Sequence, residues 1–358
     1  MPCASRADAN LYGAKKRYGE TAYAITGLAA EQTDAAEVAT GTSFRRGSVT
    51  YAPMEKRLRW FDEGAPKLRQ VLDRIGLGDQ LPADQDFYAC PCCLTAYPRK
   101  AVAAGLLTIE DVPPKSVGGR PMLLTCKRCN NTAGSDFDSH AATRADADDF
   151  VRGRITGRRL PMTSYVDGIP LRGTAEWTDD GVQLVGIPNK KKNDPKILAA
   201  HLDALHTYAE SGDPKPDHSF TVHTRFDEAR ARISWIRAAY LAAFAALGWS
   251  YIFRGAMDPY RNQLQQPESE VLPTYILRDP DASPDARRVL LVECPDELRS
   301  VAVVMGEHTV FLPSLFRPIA CDELVEAFIA RRAEDGRLSV DLVGKEVPWP
   351  RWATYMVD

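Results

Sequence analysis

The chain has 358 residues, which is enough for two or three domains with packed cores. Apolar residues make up 44% and charged residues 26%, as in ordinary globular proteins. Because 45 Lys and Arg face 48 Asp and Glu, the formal net charge is -3, which excludes a generally basic protein that coats polyanions.

The predicted elements divide the chain into four segments, which are a loosely ordered N-terminal extension (1–53), a helical lead-in (54–85), a cysteine-rich module (86–145) and a mixed α/β C-terminal domain (146–358). The extension is rich in Ala, Gly and Thr and has little apolar periodicity. In the lead-in, spaced apolar residues predict a helix that begins near Pro66 and ends at Gly76.

Four of the eight cysteines form two Cys-x-x-Cys pairs. Each pair suits a tight turn whose two thiolates reach one tetrahedral ion, and two such turns supply four ligands. The sequence therefore predicts a structural zinc site formed by Cys90, Cys93, Cys126 and Cys129. Cys92 offers a substitute ligand, but the two-residue spacing favours Cys90.

Paired thiols that hold metal are typical of a reducing compartment. The longest apolar run, residues 238–249, is far shorter than the ~20 residues that span a bilayer. The start of the sequence lacks the pattern of a secretory signal. We therefore expect a cytoplasmic protein that does not associate with membranes.

The segment between the cysteine pairs predicts a hairpin. Pro113-Pro114 favours an extended entry, Gly118-Gly119 is a turn signal, and "MLLTC" is a short strand that leads into the second cysteine turn. A helix is expected after "CKRCNNTAGSDFDSH". The order is strand, turn, strand, knuckle and helix around one zinc ion, which is a ββα-metal or treble-clef-like module.

The C-terminal domain combines helices and strands. Asp-Asp-Gly at 179–181 separates two apolar runs and predicts a hairpin. Asp194 as N-cap predicts a helix that stops at Gly212. The run "DEARARISWIRAAYLAAFAALGW" is apolar on most sides from Ile233, which indicates a buried central helix. The predicted fold class is α+β, with a small four-cysteine, zinc-bound ββα-metal module followed by a mixed α/β domain.

The cysteine-rich module resembles the zinc-stapled branch of the HNH endonuclease superfamily. That branch typically carries a first cysteine pair, an acidic-His-x-x-Pro step, a Gly-Gly turn, and a second cysteine pair followed by Asn and Gly. The chain shows "CPCC", "EDVPP", "GG", "CKRCNN" and "AGS" in this order, and the resemblance covers little beyond the module. It implies metal-dependent hydrolysis of phosphodiester bonds in DNA, and defence against foreign DNA is a common role of such proteins.

The resemblance also implies roles for individual residues. Glu110 matches the acidic metal ligand, and Asp111 stands where the family has its general-base His. Asn130 matches the ligand position after the last cysteine, while the family's middle Asn would fall at Pro121 and is missing or displaced. His140 is the one His near the motif, so it is the candidate for a displaced base.

Asp in place of His changes the expected chemistry. A general base works best with a pKa near the operating pH, and the ordinary pKa is about 3.9 for Asp and about 6.5 for His. Alternatively, Asp111 could join Glu110 and Asn130 on Mg²⁺ or Mn²⁺, with Asp136, Asp138 or His140 completing the coordination, and that ion would acidify water. The other interpretation is that the two acids are solvated turn residues and that His140 is a surface or capping residue.

Local charge is compatible with a phosphate-binding surface. Residues 90–159 contain eleven basic and seven acidic residues, in a chain that is acidic as a whole. The residues expected to contact phosphates without reading base sequence are Lys115, Arg120, Lys127 and Arg128. Ordinary surface charge is the other interpretation.

Three functions are therefore compatible with the sequence. The first is an HNH-like endonuclease that acts on DNA with structural Zn²⁺ and catalytic Mg²⁺ or Mn²⁺. The second is a catalytically degenerate, zinc-stabilised module that binds nucleic acid or a protein. The third is a zinc-stapled scaffold unrelated to nucleic acid. We expect nucleic acid, DNA foremost, as the partner, and an oligomer is compatible with the sequence.

Overall fold

The computed structural model describes residues 8–11, 53–155, 157–179, 181–186, 193–211, 218–269, 272–316, 319–333 and 337–356. Contacts among these residues form two compact units, and within the described ranges the first contains residues 8–11, 53–142 and 227–356 and the second contains residues 143–226. The predicted α+β class is confirmed by the mixture of helices and strands. The predicted domain boundaries stay predictions.

Nine α-helices lie in the described part of the chain, and they are α1 (Pro53–Arg74), α2 (Lys100–Ala103), α3 (Lys127–Ala133), α4 (Ser139–Val151), α5 (Pro195–Ser211), α6 (Glu228–Leu247), α7 (Trp249–Ile252), α8 (Asp258–Gln265) and α9 (Cys321–Ile329). A π-helical turn, Gly134–Asp138, joins α3 to α4. None of these nine helices combines the length and the apolar character that a membrane span requires.

The same residues form fifteen strands, which are β1 (Asp8–Leu11), β2 (Phe87–Ala89), β3 (Ala96–Pro98), β4 (Leu107–Val112), β5 (Arg120–Cys126), β6 (Leu160–Val166), β7 (Ile169–Thr178), β8 (Gly181–Gly186), β9 (His218–Val222), β10 (Ile276–Arg278), β11 (Arg287–Cys294), β12 (Ser300–Met305), β13 (His308–Pro313), β14 (Arg337–Ser339) and β15 (Val343–Val347). The first unit holds an antiparallel sheet of order β14-β1-β10-β13-β12-β11-β15 and the two hairpins β2–β3 and β4–β5. The second unit holds the antiparallel sheet β8-β7-β6-β9.

Helix α6 is the buried centre of the first unit. Asp227 caps it, because its carboxylate accepts the backbone N–H groups of Ala229 and Arg230. All side chains from residue 233 to residue 247 are buried, and the helix contacts β11, β12 and β13 of the large sheet. Gly248, at a φ of +75°, ends the helix in a conformation that favours glycine. The predicted buried central helix is confirmed.

The cysteine-rich module packs against α6 and α7. The hydroxyl of Tyr240 donates to the carbonyl of Pro91 at 2.8 Å, and Trp249 Nε1 donates to the carbonyl of Ala89 at 3.3 Å. Tyr88 and Trp249 meet edge to face with ring centroids 5.1 Å apart. Burial of each large apolar side chain stabilises the fold by about 1.5–3 kcal/mol. The module therefore shares its core with the rest of the first unit.

Helix α1 begins earlier than predicted. It contains Pro66, so the predicted start near that residue is wrong. Pro66 lies on the exposed face of the helix, where the carbonyl of Asp62, deprived of its N–H partner, can bond water. Of the predicted loose extension, Asp8–Leu11 forms strand β1 between β10 and β14, and residues 1–7 and 12–52 lie outside the described part.

The second unit contains the predicted hairpin and helix. Strands β7 and β8 pair antiparallel with Thr178 opposite Gly181, which confirms the hairpin. Asp194 accepts the N–H of Lys196 at 2.8 Å at the start of α5, as predicted, and the expected stop at Gly212 falls outside the described residues. The core of this unit is formed by Phe150, Leu160, Met162, Ala175 and Val222.

Candidate metal centre and the buried ion pair beside it

Four cysteine thiols come together between the two hairpins. Cys90 and Cys93 belong to the turn between β2 and β3. Cys126 ends β5, and Cys129 lies in the first turn of α3. Their four sulfur atoms lie within 4.8 Å of one another. The four predicted cysteines, with Cys90 and not Cys92, are therefore placed together in positions that could hold a metal ion.

Backbone hydrogen bonds hold both cysteine turns. In the first turn, the carbonyl of Cys90 accepts the N–H of Leu94 at 2.8 Å, and Leu94 adopts a left-handed φ of +56°. In the second turn, Cys126 Sγ accepts the N–H of Cys129 at 3.5 Å and so caps α3. Cys90 Sγ accepts the N–H of Cys126 at 3.3 Å. N–H groups directed at sulfur favour the thiolate, which is the form that binds metal.

The geometry of the sulfur atoms fits zinc. Tetrahedral Zn–S bonds of about 2.3 Å would separate neighbouring sulfur atoms by about 3.8 Å. The Sγ atoms of Cys93 and Cys126 are 3.8 Å apart. Hydrogen bonding with the Cys126 thiol lowers the pKa of Cys93 to about 6 and lowers that of Cys129 as well, whereas burial raises the pKa of Cys90 and hydrogen bonding with Cys129 raises that of Cys126. Four thiolates with no place for water suit a structural ion, which would stabilise the fold and perform no chemistry.

A buried guanidinium holds the carboxylate of Glu110. Arg237, from the middle of α6, donates from Nη1 to Glu110 Oε1 at 3.0 Å and from Nη2 to Oε2 at 2.6 Å. Thr125 Oγ1 also donates to Oε2, at 2.9 Å. Glu110 is 4% exposed and Arg237 is 2% exposed. Both oxygens of the carboxylate are therefore engaged inside the protein.

A second carboxylate faces the same guanidinium. Asp138 Oδ2 lies 3.7 Å from Arg237 Nη1, and Oδ1 accepts a hydrogen bond of 2.6 Å from Ser234 Oγ. Burial raises the pKa of Asp138 to about 6, while the charge of Arg237 acts in the opposite direction. Buried charges are stable only when they are paired and hydrogen-bonded. We call these residues the Arg237 cluster, which comprises Glu110, Thr125, Asp138, Ser234 and Arg237.

Asp111 lies beside the Arg237 cluster in different surroundings. The β4–β5 register shifts between Glu110 and Asp111, so that Asp111 pairs with Pro121. Asp111 is half-buried. Burial raises its pKa, the charge of Glu110 adds to that effect, and Lys115 and Lys56 oppose it. Glu110 is thus enclosed in an ion pair, whereas Asp111 remains partly open to solvent.

Asn130 and His140 both bond to neighbouring backbone. Asn130 Nδ2 donates to Thr108 Oγ1 and to the carbonyl of Ile109, at 3.0 Å each, and so ties α3 to β4. His140 Nδ1 accepts the N–H of Asp227 at 2.9 Å, at the start of α6. In the neutral ring the proton is then on Nε2. The predicted roles of the two residues, metal ligand and displaced base, stay predictions.

The four basic residues predicted to contact phosphates form two pairs. All four are exposed. Lys115 and Arg120 lie at the tip of the β4–β5 hairpin, and Lys127 and Arg128 lie in the first turn of α3. Strand β5 begins at Arg120 and ends just before Lys127, and its 7 residues at about 3.3 Å per residue separate the pairs by about 20 Å. The two pairs therefore belong to two separate basic patches on the surface.

Sequence reasoning missed Arg237, although a signal for it exists. The residue is the single charge in "SWIRAAYLAAFAALG", a helix that the apolar pattern already predicts to be buried. An Arg is almost never fully buried unless it is paired. A single charge in a buried helix therefore predicts a carboxylate partner elsewhere in the chain, and Glu110 in the module is that partner.

The chain was compared with protein-family models, with curated proteins and with solved structures, and none of the three comparisons found a match. The likeness to HNH endonucleases therefore depends on the residues and elements of the module alone. What is established is a group of four cysteines placed to hold a metal ion within an α+β fold.

Proposed function

We propose that this chain binds nucleic acid through a zinc-stabilised module of HNH-like arrangement that does not cleave phosphodiester bonds. The observation that carries this proposal is the two-point ion pair between Arg237 and Glu110. In the family that the module resembles, the residue at the position of Glu110 binds the catalytic metal ion. Here its carboxylate already has a cation, supplied by the chain itself.

A divalent ion at Glu110 would meet a large energetic cost. It would displace the guanidinium of Arg237 and leave that charge buried beside another cation. Removal of one partner from a buried ion pair costs about 3–5 kcal/mol. In addition, Asp111 replaces the His of the family, and its ordinary pKa is far below neutral pH, although burial and the charge of Glu110 raise it. Both features favour a module that has lost its chemistry.

Nucleic acid is the partner that the charge distribution supports. The chain is acidic overall, yet the module presents exposed cations at both ends of β5. Such cations release counterions when they contact phosphates, which supplies affinity without base specificity. A zinc-stabilised scaffold holds the cations in fixed positions, as a phosphate-binding surface requires.

An active HNH-like endonuclease is the second candidate. It is favoured by the hydrogen bond from Asn130 to Ile109, because this contact brings the post-cysteine position close to the Glu110–Asp111 step. Such an enzyme would hold Mg²⁺ or Mn²⁺ with Asp111 and Asn130, after release of Glu110 from Arg237. DNA would be its substrate.

One experiment separates the two candidates. Zinc-loaded full chain is incubated with supercoiled plasmid, single-stranded DNA and RNA, with and without Mg²⁺ or Mn²⁺, and both binding and cleavage are measured. We expect binding that weakens as salt rises, and no cleavage. Cleavage that requires the divalent ion and disappears in Asp111→Asn would overturn the proposal in favour of the endonuclease. Absence of binding to every nucleic acid would overturn both.

A further inference from the structure

An exposed tryptophan lies beside a guanidinium on the first unit. Trp352 is 44% exposed. The guanidinium carbon of Arg59, on α1, lies over its ring at 5.5 Å from the centroid. A cation–π pair of this kind orients an indole without burying it. The ring is therefore held in place while much of its surface stays open to solvent.

Backbone contacts fix Trp352 next to the β4–β5 hairpin. The N–H of the following residue, Ala353, donates to the carbonyl of Met122 at 2.9 Å. Ala353 is buried, and Met122 is two residues from Arg120 on β5. The exposed tryptophan and the basic tip of the hairpin therefore lie on the same part of the first unit.

Two lysines extend this basic surface. Lys56 precedes Arg59 by about one turn of α1, so the two side chains lie on neighbouring positions of one helix face. Lys56 and Lys115 both interact electrostatically with Asp111, at the end of β4. Lys56 of α1 and Lys115 of the hairpin tip are thus both close to Asp111.

A third side of the surface comes from β11. Arg287 Nη2 lies 3.5 Å from the position that a Cβ on Gly118 would take. Burial lowers the pKa of Arg287, and the nearby charge of Arg120 lowers it further, while Asp285 raises it. Two guanidinium groups that repel each other are stabilised by an anion between them. We refer to the whole set as the Trp352 surface, which comprises Lys56, Arg59, Lys115, Arg120, Arg287 and Trp352.

We propose that the Trp352 surface binds single-stranded nucleic acid, with a base stacked on the indole ring and backbone phosphates bound by the surrounding cations. Unpaired bases stack on exposed aromatic rings, and a basic surface follows the backbone, whereas the bases of a duplex are already stacked on one another. An acidic peptide would use the cations and leave the ring without a partner. The assignment depends on the proposed nucleic-acid function and specifies its site and substrate class.

The test measures fluorescence anisotropy with zinc-loaded full chain and labelled probes of known type. The probes are oligo-dT and oligo-U of about 20 nucleotides, which exceed the ~4–16 nucleotides of typical single-strand sites, and a duplex of equal length. Poly-glutamate serves as an acidic competitor without bases. We expect both single strands to bind more tightly than the duplex, and poly-glutamate to compete weakly.

Two variants probe the surface, each with a matched control. Trp352→Ala should weaken single-strand binding by about 5- to 150-fold, as loss of one base-stacking contact does, and Trp352→Phe should restore part of it. Phe316→Ala, which removes an aromatic ring that is 68% exposed elsewhere, should have no effect.

The charge variant tests the phosphate contacts. Lys115→Ala/Arg120→Ala should reduce the slope of log affinity against log salt by about 1.4, since each lost phosphate contact on a single strand removes about 0.7. The control, Lys196→Ala/Lys345→Ala, removes two exposed cations outside the surface and should leave the slope unchanged. Zinc content and circular dichroism establish that every variant is folded.

The outcomes separate this assignment from the proposed function. If the wild-type chain binds oligonucleotides but Trp352→Ala and Lys115→Ala/Arg120→Ala bind as well as their controls, the Trp352 surface is overturned and the proposed function stands. Tighter binding to the duplex than to either single strand also overturns it. If no oligonucleotide binds and poly-glutamate does, the proposed function fails together with this assignment.

Discussion

Two buried polar sites, the four-cysteine group and the Arg237 cluster, meet at neighbouring residues of β5. They differ in how their anionic groups are compensated. Cys126 belongs to the four-cysteine group, and its neighbour Thr125 belongs to the Arg237 cluster. Both sites gather anionic groups in the interior, where unpaired charge is costly. The four cysteines are placed to hold a metal ion, whereas the Arg237 cluster contains its own cation. The carboxylate of Glu110 is therefore paired within the protein without a metal ion.

The chemistry of the ligands explains this division. A guanidinium presents two parallel N–H groups that match the two oxygens of a carboxylate, as Arg237 and Glu110 show. Four convergent thiolates offer no such planar match, and zinc binds them with short bonds to all four. An arginine can thus replace a metal ion beside a carboxylate, but it cannot do so among four cysteines.

Substitution of one of the four cysteines tests whether a metal ion stabilises the module. It should have the largest effect on stability of the changes considered. Structural zinc sites in small peptides contribute about 10–16 kcal/mol of binding free energy at neutral pH, which becomes folding free energy. We expect Cys126→Ser, or chelation of the wild type, to abolish cooperative unfolding of the module. Zinc per chain and thermal unfolding by circular dichroism provide the measurement.

The control for this variant is another cysteine of the same chain. Cys294 is exposed and stands outside the four-cysteine group, so Cys294→Ser should keep the zinc and the unfolding transition of the wild type. A Cys126→Ser protein that retains one zinc ion and the same transition would contradict the assignment of the ligands.

Substitution of Arg237 tests whether this internal cation stabilises the Arg237 cluster. Arg237→Leu should lower the free energy of unfolding by about 3–5 kcal/mol, because it leaves the carboxylate of Glu110 buried without a charged partner. The double variant Arg237→Leu/Glu110→Leu should be more stable than the single variant, since no charge remains unpaired between the two positions. Urea unfolding of the zinc-loaded proteins measures both.

An exposed ion pair of the same geometry supplies the control. Arg99 and Asp62 also form a two-point pair, at 2.7 and 2.9 Å, but on the surface. Arg99→Leu should therefore change the stability far less than Arg237→Leu does. Equal effects of the two substitutions would mean that burial does not increase the contribution of the Arg237–Glu110 pair to stability. The comparison between the two polar sites would then fail.

The two sites also differ in how far the sequence predicts them. The four cysteines placed to hold a metal ion form two regularly spaced pairs within two local turns, so the pattern alone could identify them. The Arg237–Glu110 pair joins positions 127 residues apart, and no local pattern connects them. The start of α1 was missed for a different reason, because Pro66 is tolerated on an exposed helix face where water replaces the lost hydrogen bond.

Substitution of His140 has the smallest expected effect on the free energy of unfolding. It tests whether this histidine of the motif has a structural role. His140→Ala removes the acceptor of the Asp227 N–H at the start of α6, so we expect the free energy of unfolding to fall by about 1 kcal/mol. His206→Ala, at an exposed position of α5, should change it far less. If His140→Ala leaves the stability unchanged and instead removes a divalent-dependent cleavage activity, the histidine is a displaced base. The Arg237 cluster would then adjoin a working active site.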